Sequence, residues 1–325
     1  MATPDVTIVI VSWNTRELLA GCLASMADDA EAGRAAVCVV DNDSGDGSAE
    51  MVERDHPWVT LVRSGGNIGF GPAVNLGVDR MPATPWVAPC NSDIALEPGA
   101  LSTLLDAVGD RPRAGAVAPV LVGTDGRPQH SAYPFPDLGF TLLFNLGFHR
   151  VSRHWADRYC VPGAWDHGRR REVPWVIGAF LLVRRAAWDE VGGFDEQQWM
   201  YAEDLDLGWR LRRGRWTTLY VPEARVLHHG SAAAEQAWSD DVRLERWMDA
   251  TYAWMLRRRG LVRTRANAAM NVGGAWLRIR LFALLARRDP GRWHGPLADS
   301  VRWHRVHKIG LRPRARIGSL SAPPE

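Results

Sequence analysis

Three acids fall within four positions at Glu203-Asp204-Leu205-Asp206, between Met200-Tyr201-Ala202 and Leu207-Gly208-Trp209-Arg210. Acids at a helix start favour the positive end of its dipole, so capping alone would account for them. The alternative is a general base. A helix N-terminus lowers a carboxylate pKa and neighbouring acids raise it, so a crowded acidic turn can hold one carboxylate as a working base. Charge alone does not select the acid. Two further carboxylates stand at the ends of apolar runs: Asp41 after residues 37–40, and Asp93 after residues 86–88 by way of Asn91 and Ser92. In such places one acid can accept from a base or ribose, and another can reach a metal that bridges phosphates. His228-His229-Gly230 ends a run from Arg225. Alternation puts only one imidazole on the site face, and His228 is favoured. A neutral imidazole can ligate Mn2+, although strand-end histidines are commonly hydrogen-bonded structural groups.

These residues need a frame. Residues 6–11 form a β-branched run suited to a strand buried on both faces, and Asn14 with Glu17 starts a helix carried by Leu18, Leu19, Cys22, Leu23 and Met26. Strands at 37–40, 59–62 and 86–88 are each followed by a polar turn and a helix, near 49–54, 72–78 and 99–108. This alternation predicts a doubly wound parallel sheet, whose ligands bind beyond the carboxyl ends of the strands. Gly65-Gly66-Asn67-Ile68-Gly69-Phe70-Gly71 lacks the Lys-Ser/Thr of a P-loop and does not follow the first strand, so by itself it reads equally as a turn that needs positive φ. Residues 124–173 show no clear periodicity and are expected to be a long irregular insertion. A strand over 175–183 and a helix from about 202 follow.

The chain has 325 residues and 46% hydrophobic content, enough for a substantial core. The four cysteines are widely spaced, which fits reduced core thiols rather than a disulfide framework or a zinc site. There is no unbroken apolar run of about eighteen residues and no secretory-signal pattern, so the expected location is the cytoplasm. The formal net charge of +2 hides an asymmetry. Residues 257–316 carry sixteen Arg or Lys against two acids, Asp289 and Asp299. In and just before this stretch Arg alternates with Trp254, Trp276, Leu277, Leu281, Phe282 and Leu284, compatible with amphipathic helices on the inner face of an anionic membrane. The same pattern also suits helices packed on the catalytic domain or in a homodimer interface. No nucleic-acid-binding motif accompanies it, and nucleic acid is not an expected partner.

Taken in order, Ile10-Val11-Ser12-Trp13-Asn14, Val39-Val40-Asp41-Asn42, Asn67-Ile68-Gly69-Phe70 with Asn75, Asn91-Ser92-Asp93, Gly192-Gly193-Phe194-Asp195-Glu196 and Tyr201-Ala202-Glu203-Asp204 resemble the family 2 glycosyltransferases. They are most similar to the bacterial rhamnosyltransferase-like branch, involved in cell-wall or polysaccharide biosynthesis. The resemblance covers residues 5–231, and its specificity lies in the ordered combination. It implies a GT-A fold: Rossmann-like α/β, with a mostly parallel central sheet flanked by helices. The expected domains are a catalytic one over residues 1–231 and a basic, mainly helical region over 232–325.

The resemblance further implies inverting transfer from a nucleoside-diphosphate sugar, with dTDP-L-rhamnose the leading donor. Asp41 would contact the base or ribose, with Ser12, Asn14, Asn67, Gly69, Phe70, Asn75, Asn91 and Ser92 as the other donor-site candidates. Asp93 and His228 would hold Mg2+ or Mn2+ against the diphosphate. Asn91 replaces the first acid of a strict DxD motif, so the diphosphate must supply much of the coordination. Asp204, after Glu203, would be the base. Asp195 and Trp175 are candidates for the acceptor pocket, Asp195 equally as a turn cap. The acceptor would be a glycan on a polyprenyl carrier, or a small-molecule aglycone. Two other classes share these features: a non-catalytic nucleotide-sugar-binding protein, and a nucleotidyltransferase. The second would need an early Gly-rich, basic triphosphate loop that the chain lacks.

Overall fold

A computed structural model of the chain describes residues 3–230 and 238–320. Its strands are β1 (Val6–Ser12), β2 (Ala35–Asp41), β3 (Thr60–Arg63), β4 (Trp86–Asn91), β5 (Ile94–Leu96), β6 (Ala114–Val122), β7 (Ala132–Tyr133), β8 (Arg171–Val173), β9 (Trp175–Val176), β10 (Leu182–Arg184) and β11 (Thr217–His228). The main sheet has the order β3-β2-β1-β4-β10-β6-β11-β5, with β8 also paired to β11. The first four strands run parallel, as the strand-helix alternation predicts. β10 then runs antiparallel to both neighbours, and β6 and β11 are parallel to each other. The β-branched run of β1 is buried along almost its whole length, because helices cover both faces of a parallel sheet. Val6, Ile8 and Ile10 pack with Leu101, Leu104, Leu182 and Val226 in the core.

Register brings the polar strand ends together. Ser12 pairs with Asp41, and Val11 with Asn91, so the carboxyl ends of β1, β2 and β4 share one edge. β5 turns back after Asp93 and pairs antiparallel with β11, matching His228 to Ile94. The His229 N–H donates to the Asp93 carbonyl at 3.0 Å, which fixes the end of β11 beside Asp93.

The strand expected over 175–183 is two strands. β9 pairs with β7 in a separate two-stranded sheet, β10 belongs to the main sheet, and residues 177–181 cross between them. That crossing is held by backbone bonds from Ile177 N to Ser131 O and from Asn91 N to Ala179 O, both 2.9 Å. The insertion over 124–173 is also more ordered than expected. It contains β7, β8 and the short helices Leu138–Asn145, Phe148–Val151 and Arg153–Arg158. Helices of one or two turns are too short to show a hydrophobic period. Their order comes from caps at Asp137 and Ser152 and from Phe140 stacked on Trp155 and Tyr159.

The described residues form two compact units, one of residues 3–133, 166–230 and 238, the other of 134–165 and 239–320. The expected boundary at 231/232 lies outside the described residues. The second unit is built on the helices Asp240–Arg259, Leu261–Ala286 and Pro290–His307. The insertion helix joins it through a polar ladder: Asn267 Nδ2 donates to Thr141 Oγ1 at 2.7 Å, and Asn145 Nδ2 to Asn271 Oδ1 at 2.9 Å. A Cβ on Gly274 would lie 2.1 Å from Asn145 Oδ1, so this close approach requires glycine. Leu261–Ala286 is long and apolar enough, by length and composition, to cross a membrane, with 22% of its most apolar window buried. Four arginines interrupt it, Arg263, Arg265, Arg278 and Arg280, so a search for an unbroken apolar run passes over it.

Candidate functional site

The donor-side candidates surround the ends of β1, β2 and β4. Asp41 Oδ2 accepts from the Ser44 N–H at 3.1 Å, whereas its Oδ1 is buried with no hydrogen-bond partner. Asn42 donates to the Gly69 carbonyl at 3.2 Å and leaves its own Oδ1 buried and unpartnered. Two adjacent orphan acceptors at a strand end suit a ligand that brings N–H or O–H donors, such as a base or a ribose. Asn14 has a positive φ of 54° and accepts from the Gly45 N–H at 2.8 Å, shaping the loop after Asp41. Ser12 and Ser92 are joined through Thr15: the hydroxyls of Ser12 and Thr15 are 3.3 Å apart and those of Thr15 and Ser92 2.7 Å. Thr15 carried no motif signal; only the fold shows it as the link between β1 and the Asn91-Ser92-Asp93 turn.

The Gly-rich stretch serves mainly as a joint. Gly69 has φ 91°, and a Cβ there would lie 2.1 Å from the Trp199 carbonyl oxygen, to which the Phe70 N–H donates at 3.2 Å. Asn67 accepts from the Gly69 N–H at 3.2 Å, and its carbonyl accepts from the Trp199 indole at 3.2 Å. Phe70 meets Phe194 edge to face. Asn75 uses both ends of its amide on the Phe194 backbone, donating to the carbonyl at 3.0 Å and accepting from the N–H at 2.9 Å. Gly69, Phe70 and Asn75 thus anchor the Gly192–Trp199 segment that leads to the acidic turn. Within it, Asp195 accepts from the Gln197 N–H at 3.1 Å, the turn-cap role. Trp175 is buried, stacked on Tyr133 and pressed against Gly208, so it seats the helix Glu203–Arg213.

At the start of that helix Tyr201 and Ala202 both have positive φ, 62° and 61°. Non-glycine residues in this region cost about 1–3 kcal/mol each and cluster at functional sites. The three acids then diverge. Asp206 is fully buried and pairs with Arg210 at 2.6 Å, a structural bond. Asp204 Oδ1 accepts from the Leu205 N–H at 2.7 Å and Oδ2 from the Gly178 N–H at 3.1 Å. Burial pushes its pKa up to about 6 against these lowering bonds. Glu203 Oε2 is buried without a hydrogen-bond partner, and burial followed by the Asp204 charge pushes its pKa up to about 8. Both carboxyls are raised, Glu203 the further, so Asp204, which accepts two backbone N–H bonds, is the member of the pair that gives up its proton first. Asp204 is bonded to Gly178, Ala179 is bonded to Asn91, and Asn91 leads directly to Ser92 and Asp93. The base candidate and the metal candidate are thereby tied to one edge of the sheet.

Asp93 and His228 are both buried, with His228 Nε2 3.6 Å from Asp93 Oδ1. Nε2 has no hydrogen-bond partner, and burial lowers the His228 pKa despite the Asp93 charge. His229 is exposed. A neutral ring thus turns an orphan nitrogen toward a carboxylate oxygen. A divalent ion about 2.1 Å from each ligand tolerates donors up to about 4.2 Å apart, so the pair fits such an ion. Among the described residues no cluster of three or more His, Cys, Asp or Glu forms a fuller cage.

A family model described as glycosyltransferase like family 2 matches residues 4–250. The chain is 36% identical over 241 residues, 70% of its length, to the N-acetylglucosaminyl-diphospho-decaprenol L-rhamnosyltransferase of Mycobacterium tuberculosis, spanning 76% of that protein. It is 27% identical to the rhamnosyltransferase WbbL of Escherichia coli, over 60% of this chain and 73% of that one. Among solved structures it is similar to the mannosyltransferase PcManGT from Pyrobaculum calidifontis in complex with GDP-Man and Mn2+. That likeness has a TM-score of 0.59 at 17% identity and covers 96% of this chain and 88% of that one, which shows a GT-A-like fold.

Proposed function

The chain belongs to glycosyltransferase family 2 and is a glycosyltransferase, and from that premise we propose an inverting rhamnosyltransferase that uses dTDP-L-rhamnose and a lipid-linked glycan acceptor. The observation that supports the chemistry is the tie from Asp204 through Gly178 and Ala179 to Asn91, which links the candidate base to the sheet edge that carries Asp41 and Asp93. Asp41 and Asn42 hold the nucleoside through their unpartnered acceptors. Asp204 takes the proton of the acceptor hydroxyl as that oxygen bonds to the anomeric carbon from the face opposite the departing diphosphate, inverting the centre. The Leu205 and Gly178 N–H groups orient the carboxylate, and protonated Glu203 adds no second charge beside it. Asp93 and His228 would hold Mg2+ or Mn2+, and such an ion would supply electrostatic stabilisation of the leaving diphosphate. The rhamnosyl donor and the polyprenyl-linked glycan are supported by the names of the two bacterial relatives.

Peripheral contact with the cytoplasmic membrane surface is part of the same reading. In the helical unit Trp276, Leu277, Leu281 and Leu284 are exposed at spacings that share one helix face, with Arg280 over the Trp276 ring. Leu142, Leu146, Phe148 and Val151 are exposed in the insertion. Apolar side chains among arginines suit an anionic bilayer, where a lipid-linked acceptor would lie.

The test is thermal stabilisation by a panel of nucleoside diphosphates and their sugars with and without Mn2+, since a ligand that binds only the native state raises Tm. A metal-enhanced shift selective for dTDP or dTDP-rhamnose is expected. Selectivity for UDP or GDP sugars would replace the donor, and no shift with any nucleotide would overturn the site.

A further inference from the structure

Gln129 lies just beyond β6, where its backbone N–H donates to the Leu121 carbonyl at 2.8 Å. Its side chain makes two contacts with a single residue. Nε2 donates to the His228 carbonyl at 2.8 Å, and Oε1 lies 2.8 Å from His228 Nδ1. The first contact decides the second. A carbonyl oxygen only accepts, so the amide nitrogen must face it, and the amide oxygen is left facing the ring. An amide oxygen has no hydrogen to give, so Nδ1 carries the proton. In the neutral ring the lone pair then sits on Nε2, the buried atom that has no hydrogen-bond partner and faces Asp93 Oδ1 at 3.6 Å.

We infer that Gln129 is a positioning residue for the divalent ion: it fixes His228 in the Nδ1–H tautomer and holds the end of β11, so that Nε2 is presented as a ligand beside Asp93. Pinning the strand end alone would need only the bond to the His228 carbonyl; the second bond, to the ring, sets its tautomer and orientation. Outer groups of this kind commonly govern how well a histidine binds metal. The inference rests on the proposed role of Asp93 and His228, and one of its two readouts is independent of that role.

The first readout is nitrogen-15 NMR of the metal-free protein, with the His228 signals assigned by their loss in His228→Ala. The second is calorimetric titration with Mn2+ in the presence of dTDP. Gln129→Met keeps the length of the side chain and removes both bonds, whereas Gln129→Glu keeps an acceptor for Nδ1–H. Wild type should show a protonated Nδ1 and a bare Nε2. Gln129→Met should lose that preference and bind Mn2+ roughly tenfold or more weakly. Gln129→Glu should restore the tautomer and most of the affinity. An Nε2–H tautomer in wild type would overturn the inference. So would a Gln129→Met protein with a lowered Tm but an unchanged spectrum and unchanged Mn2+ affinity, because Gln129 would then be a strand clamp only. Failure of wild type to bind Mn2+ would remove the metal role of Asp93 and His228, while the spectrum would still decide whether Gln129 sets the tautomer.

Discussion

Asp249 in the helical unit and Glu203 in the sheet unit are both acids with desolvated carboxyl oxygens, and their surroundings differ. Asp249 is fully buried and spends one oxygen on the Gly318 N–H at 2.9 Å and the other on the Leu320 N–H at 2.8 Å, fastening the last described residues to the helix Asp240–Arg259. Glu203 leaves Oε2 without any partner. The histidines divide in the same way. His307 Nδ1 is 2.8 Å from the Tyr252 hydroxyl, and burial followed by the Arg278 charge lowers its pKa to about 4, which keeps it a neutral packing group. His228 is held equally firmly on Nδ1 and keeps Nε2 open toward Asp93. An unmet buried polar atom costs about 1–3 kcal/mol. The helical unit avoids that cost at these positions by closing its polar contacts, whereas the sheet unit accepts it at strand ends where substrate would complete them.

The difference can be tested by removing one group at a time. The largest effect is expected from Asp204→Asn, which should lower turnover about 10²–10⁴-fold with donor binding nearly intact, read by steady-state kinetics beside a thermal shift with donor. In wild type, turnover should fall as pH drops through about 6, because the base is lost when Asp204 takes up its proton. Asp249→Ala should instead cost stability, about 2–3 kcal/mol by denaturant unfolding, through two orphaned N–H groups. An unchanged midpoint would show that the Asp249 bonds to Gly318 and Leu320 do not support the fold. Asp93→Asn should weaken Mn2+-dependent donor binding roughly tenfold with little change in Tm.

The smallest effect is expected from Glu203→Gln. The Glu203 carboxyl holds its proton in the native state up to about pH 8 but loses it near the ordinary value when unfolded. Native stability from this group is therefore present at low pH and lost as pH rises through about 8. The glutamine variant should gain stability over wild type progressively as pH rises from 5 to 8. A gap that does not change with pH would mean that Glu203 is already ionised at pH 5.

Where a role depended on neighbours in sequence, it was legible. β1, β2 and β4 are dominated by β-branched or apolar residues, and Asp41 and Asp93 sit at or just beyond strand ends, so both the parallel sheet and its polar edge could be read from the pattern. The acidic turn was legible as a cluster, but its division of labour was not. Asp206 turns inward to Arg210 and Asp204 reaches Gly178, and that separation follows from helix phase and from a loop 26 residues away. Asn75 was legible as part of a motif, yet its partner Phe194 is 119 residues along the chain. Gln129 and Thr15 carried no local signal, since each matters through what the fold places beside it. The insertion reads as irregular in sequence because its helices are too short to show a period, and its polar ladder to Asn267 and Asn271 spans 126 residues.

The sequence alone therefore determined the strand-helix alternation, the acids at its polar edge and the basic character of residues 257–316, because periodicity and composition act within one or two turns of chain. The tertiary structure alone decided which acid stays desolvated, which histidine nitrogen is left open and which unit receives the insertion. Each of those depends on long-range pairing that sets burial and hydrogen-bond geometry, and neither quantity exists until the sheet and the helices have packed.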